Sequence, residues 1–117
     1  HAATIRGMPI VPDTKDWTWV LERACPECGL DPQALPRASV APMLRDNARA
    51  WHAVLTGATP VRGTTVVARP ADDVWSALEY GCHVRDVYRL YLTRLERMLT
   101  EVGPTFANWD QDATAVK

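Results

Sequence analysis

An all-α fold is predicted by three observations on this 117-residue chain. Two segments repeat their apolar residues at the 3.6-residue period of a helix, one of them opens on a complete capping signature, and the connectors are rich in proline and glycine. Hydrophobic residues make up 47% and charged residues 23% of the chain, ordinary proportions for a globular protein. The length suffices for one core but not for two.

Taken in order, residues 1–12 carry Pro9 and Pro12 without periodicity and read as an extended arm. Asp13 or Thr14 is expected to cap a short helix reaching Arg23, with Trp17, Val20 and Leu21 on one side. Pro26 ends it, and Pro32 and Pro36 mark residues 29–38 as a connector. Ser39 is the expected N-cap of the next helix, where Pro42 is tolerated because first-turn N–H groups have no intrahelical acceptor. Val40, Leu44, Ala48, Trp51 and Leu55 then form one apolar stripe, and Gly57 is a natural stop. Residues 56–70 read as a loop with a short extended piece over 61–68.

The strongest helix signal begins at Ser76-Ala77-Leu78-Glu79. In this capping box the Ser76 hydroxyl accepts the Glu79 amide N–H while the Glu79 side chain reaches back. Trp75 is placed to pack on Tyr80 as a staple. The stripe continues through Val84, Val87, Tyr88, Tyr91, Leu95, Met98 and Val102, and Gly103-Pro104 ends it. Trp51 with Val84, Val87, Tyr91 and Leu95 is the expected interface between the two helices. Residues 105–112, aromatic and acidic without a period, are expected as a loop over one end of the helices. The chain thus divides into an arm with a metal knuckle, 1–38, and a helical core with a C-terminal loop, 39–117.

The chemistry is concentrated in Cys25-Pro26-Glu27-Cys28-Gly29, a turn that presents two thiolates to one metal while glycine lets the backbone fold back beneath them. Structural zinc takes four tetrahedral ligands, so two more donors are needed. Cys82 is the sole remaining thiol and His83 adjoins it; His1, His52 and a few carboxylates complete the candidates. Consecutive helical side chains diverge by about 100°, so only one of Cys82 and His83 can face the knuckle. The competing readings of Cys25 and Cys28 are a reduced, idle pair or a redox C-x-x-C.

Other features narrow the function. The net charge of −1 and pI near 6.3 do not advertise nucleic acid or an anionic membrane, and DNA is not expected as a partner. No apolar run approaches the roughly 20 residues of a membrane span, and no secretory layout opens the chain. With three cysteines, an odd number, a reducing, cytoplasmic setting is expected. Trp17, Trp19, Trp51, Trp75 and Trp109 read as packing anchors, and Asp110 and Asp112 as solvated carboxylates. Arg85, Arg89, Arg94 and Arg97 are spaced with Asp86 and Glu96 as helix-surface pairs that could equally touch RNA phosphate. No G-x-S-x-G, P-loop or dinucleotide fingerprint occurs, so no catalytic or cofactor-binding residue is assigned.

The run Trp75-Ser76-x-x-Glu79-Tyr80-x-x-His83-Val84 resembles the DinB-like bundle family, which includes thiol-dependent transferases and a mycothiol-dependent maleylpyruvate isomerase. The resemblance covers about Ser39 to Val102. It implies a four-helix bundle, complete or partial in this chain, and a zinc or nickel ion held by three histidines. Of those ligands only His83 has a counterpart here; the family's other two belong to a later helix, beyond Lys117. The longer run, with Pro12 to Trp19, the CPECG turn and Phe106 to Asp112, resembles an actinobacterial branch of that family associated with ribosome hibernation. That likeness implies the ribosome or a ribosome-associated protein as partner.

These expectations combine into a zinc-binding, metal-responsive adaptor with Cys25, Cys28, Cys82 and His83 as metal-site residues. The alternative is a metal-dependent enzyme, a thiol (mycothiol) transferase or isomerase, in which zinc near His83 would activate a low-molecular-weight thiol.

Overall fold

A computed structural model describes residues 18–61 and 65–109. Two α-helices dominate it: α1, Val40–Leu55, and α2, Ala77–Thr100. No strand occurs among the described residues, where an isolated bridge pairs Ala71 with Val74. The all-α expectation holds at this level.

α2 begins as its sequence dictates. The Glu79 amide donates to Ser76 Oγ at 3.1 Å and the Ser76 amide to Glu79 Oε1 at 3.5 Å, while Trp75 meets Tyr80 edge-on with ring centroids 5.2 Å apart. Box and staple therefore both form, and Trp75 and Ser76 are the buried residues of the described chain. The helix ends at Thr100, slightly before the expected Gly103-Pro104 stop, with Gly103 at φ +59° in the turn that follows.

α1 starts where expected, but not by the expected cap. The Ser39 hydroxyl donates to the Pro36 carbonyl at 2.6 Å and makes no bond to a first-turn amide. Residues Arg37–Ser39 form a short 3-10 turn that delivers the chain into α1 already helical, so no extended N-cap geometry exists for the hydroxyl to use. At the other end, the Thr56 hydroxyl donates to the His52 carbonyl at 2.7 Å and Gly57 takes φ +84°.

Two further expectations change. The helix anticipated from Asp13 to Arg23 is, in its described part, a 3-10 turn over Thr18–Leu21; its start lies outside the described residues. The extended piece over 61–68 is not a strand where described: the Ala68 amide closes a turn on the Thr65 carbonyl at 3.3 Å, and the Leu78 amide then donates to the Val66 carbonyl at 2.8 Å.

The helices pack antiparallel. The Tyr88 hydroxyl donates to the Leu44 carbonyl at 3.1 Å and lies 3.0 Å from Asn47 Oδ1, while Leu55 covers Gly81. Gly81 is where a side chain would interfere, since a Cβ there would stand 3.1 Å from Leu55 Cδ1. With Leu44 in the early part of α1, the last turns of α2 run past its partner. Tyr91 and Leu95 are accordingly 56% and 51% exposed. They do not belong to the expected helix interface, and Trp51 is half-buried rather than central to it.

Candidate metal and partner-binding site

The Cys25–Cys28 turn is well formed. The Gly29 amide donates to the Cys25 carbonyl and the Cys25 amide to the Leu30 carbonyl, both at 2.8 Å, and Gly29 sits at φ +77°, a conformation few side chains tolerate. Cys25 is half-buried and Cys28 exposed. Backbone N–H groups of Cys28 and then Glu27 donate to the Cys25 sulfur, and together with the Cys28 thiol they hold its pKa below the ordinary thiol value against partial burial and the Glu27 charge. Donors aimed at a sulfur favour thiolate, the form that binds metal and the form that attacks disulfides. Gln33 Nε2 donates to the Leu21 carbonyl at 2.8 Å, tying the following connector to the preceding 3-10 turn.

Among the described residues no group of three or more His, Cys, Asp or Glu side chains is gathered for a metal. Cys82 and His83 are thus not brought into one ligand group with Cys25 and Cys28. They lie on α2 in a different setting. The His83 ring stacks on Trp109 with centroids 5.7 Å apart and planes 6° from parallel, and Trp75 flanks it at 5.7 Å and 52°. His83 Nδ1 is buried without a hydrogen-bond partner among the described residues.

Trp109 reaches His83 because residues 104–109 run back along α2. Arg97 donates to the Thr105 carbonyl at 3.2 Å and Arg94 to the Ala107 carbonyl at 2.8 Å; both guanidiniums lie on the Phe106 ring, at 4.9 and 5.2 Å from its centroid. The segment is a strap along one side of α2 rather than a loop over the end of the pair. Its aromatic residues are visible in the sequence, but their docking partners, two arginines and a histidine up to 14 positions apart on α2, are united only by the helix.

A second contact went unread in the sequence. Arg69 Nε and Nη2 donate to the two carboxylate oxygens of Glu79 at 2.8 and 2.7 Å, and Arg69 Nη1 donates to the Asp72 carbonyl at 3.2 Å. Glu79 therefore serves the cap and also anchors the turn before α2. Its pKa is held down first by the Arg69 hydrogen bonds, opposed by burial, and further by the Arg69 charge and the Ser76 amide.

The other side of the helix pair is open and apolar. A crevice of about 410 Å³ lies between α1 and the segment leading into α2, lined by Ala50, Trp51, Val54, Val74, Trp75 and Tyr80. Beyond it Met43, Tyr91, Leu95 and Met98 stay exposed, with Leu99 at 77%. Large apolar side chains left this exposed are available to a partner surface. No helix among the described residues is long and apolar enough to cross a membrane. No family model, curated protein or solved structure matches this chain.

Proposed function

We propose that the chain is a zinc-stabilised binding module of DinB-like type, an adaptor in the cytoplasm whose helix pair docks a partner. One observation supports the binding role above all: of the apolar stripe along α2, little is covered by α1, and Trp75 is the single buried hydrophobic residue described. Such a pair gains most of its stability when its apolar side is covered. The family resemblance of the sequence puts that partner at the ribosome or on a ribosome-associated protein.

Zinc enters through Cys25 and Cys28, where backbone donors favour the Cys25 thiolate. Its remaining ligands come from outside the described residues or from the partner, since no third ligand is gathered within them. Metal binding would hold the turn in shape, because the free energy of binding is free energy of folding. The rival reading, a metal-dependent thiol transferase, rests on His83 with its unpartnered Nδ1. It ranks second because no group of three or more ligating side chains is gathered around His83 among the described residues.

The test is metal analysis of the purified chain after exposure to zinc and removal of excess. About one zinc per chain is expected, falling to the background level in Cys25→Ser/Cys28→Ser. Undiminished zinc in the double variant would remove the knuckle from the reading.

A further inference from the structure

The two sides of the helix pair differ in charge, although exposed Leu78 and Leu92 share the charged flank of α2. At about 100° per residue, Arg45, Arg49 and His52 fall on one flank of α1, beside Leu44 and Leu55, which meet α2. By the same step Arg85 and Arg89 fall on the flank of α2 beside Gly81 and Tyr88. Because the helices are antiparallel, these flanks lie on one side of the pair, opposite the side where Val54, Tyr80, Tyr91 and Met98 are found. The Tyr88–Leu44 hydrogen bond sets Arg89 level with Arg45, and the Leu55–Gly81 contact brings Arg85 toward the level of Arg49 and His52. All five side chains are exposed.

Carboxylates neutralise this flank only in part. Arg49 meets Asp46 at 3.0 Å and Arg85 meets Asp86 at 2.9 Å, both aspartates at the margins, while Glu96 lies on the same flank about 10 Å beyond Arg89 along α2. The guanidinium groups of Arg45 and Arg89 have no ion pair or hydrogen bond among the described residues, the Arg89 carbonyl alone accepting from the Thr93 hydroxyl at 3.2 Å. Two free guanidinium forks thus stand side by side across the helix boundary, with Arg49 in an exposed pairing beside them and Arg85 held to a part-buried Asp86.

We propose that this flank binds the phosphodiester backbone of double-stranded RNA, with Arg45 and Arg89 as its centre. Guanidinium forks match phosphate oxygens bidentately, and each arginine row advances about 6 Å per helical turn with the rows about 8–10 Å apart, a flat grid of donors. A face two helices wide does not enter the roughly 12 Å major groove of B-DNA, whereas A-form RNA is read by shape and phosphate contacts across a wide, shallow minor groove. The near-neutral net charge makes the binding weak and local, as suits a module whose main hold is elsewhere. The inference deepens the adaptor reading by naming an RNA-facing surface, but needs neither zinc nor a protein on the apolar side.

The experiment is fluorescence anisotropy of a labelled 20-base-pair RNA duplex with the full chain between 50 and 200 mM KCl. Expected is weak binding, with a dissociation constant on the order of tens of micromolar at 50 mM and a log–log salt slope near −2, about a 16-fold weakening over that range. Arg45→Ala/Arg89→Ala should weaken binding at 50 mM at least about tenfold and flatten the slope by nearly 2. Arg23→Ala, outside both helices and over the Trp19 ring, should match the parent, and helical circular dichroism should be unchanged in all. Absence of binding at 50 mM, an unchanged slope in the double variant, equal affinity for DNA of the same sequence, or binding to phosphatidylglycerol vesicles in place of RNA would each overturn the proposal. Retained RNA binding by Cys25→Ser/Cys28→Ser keeps this surface separate from the fate of the zinc reading.

Discussion

Replacing Arg69 by Met removes the fork that joins the turn before α2 to the helix's first carboxylate. The loss comprises two charge-assisted hydrogen bonds to Glu79, at 2.8 and 2.7 Å, and the brace to the Asp72 carbonyl at 3.2 Å. The side chains are 29% and 19% exposed, which places the pair between surface ion pairs worth about 0–1 kcal/mol and buried ones whose breakage costs about 3–5 kcal/mol. We expect Arg69→Met to destabilise by about 1–2 kcal/mol at pH 7, a fall in Tm of roughly 5–10 °C. The pH dependence has a definite sign. Arg69 depresses the folded-state pKa of Glu79, so the contribution is complete above the unfolded carboxylate value of about 4.3 and disappears as pH falls through the depressed value. Thermal unfolding followed by circular dichroism, on the parent, Arg69→Met and Glu79→Gln, should show a gap at pH 7 that narrows below about pH 4. A gap under about 0.5 kcal/mol at pH 7, or one that persists undiminished in acid, refutes the reasoning.

Three further outcomes follow from the packing. Trp51→Ala should cost about 2 kcal/mol in denaturant unfolding, below the roughly 3–5 kcal/mol of a fully buried aromatic, because half-buried Trp51 borders an open crevice; a loss above about 4 kcal/mol would show that the crevice is closed in solution. Gly81→Ala should stabilise by about 0.5 kcal/mol, since the helix gains up to about 1 kcal/mol and the obstructing atoms are the flexible tip of the partly exposed Leu55; a destabilisation of similar size would mean that Leu55 is pinned. Trp109→Ala should release the strap from His83 and cost about 0.5–1.5 kcal/mol. The reporter is the His83 ring proton shift in NMR, which should move as the indole's ring current is lost; an unmoved shift denies the stack.

The elements that depend on neighbours in the chain were legible from residue order alone. The Ser76–Glu79 box, the Trp75–Tyr80 staple, the α1 stripe and its glycine stop, and the Cys25–Cys28 turn all bring together residues within a few positions of each other, where backbone geometry leaves little choice. Even there one local competition was missed: the Ser39 hydroxyl had an acceptor in Pro36 behind it as well as amides ahead, and the 3-10 turn chose the former.

What lay beyond local order was decided by tertiary structure. A stripe says that a helix buries a face, not which part of it or against what; the shorter α1 leaves the end of α2 open, and Tyr91 and Leu95 with it. The Arg69–Glu79 fork, the strap that brings Trp109 to His83, and the gathering of Arg45 with Arg89 each join residues 10 to 44 positions apart. Cys82 illustrates the same limit: being the last thiol in the chain recommended it as a ligand, but residue order does not say what it meets on α2, and no group of three ligating side chains is gathered among the described residues. Residue identity states which partners each side chain can accept, and only the path of the chain through space determines which of them it meets.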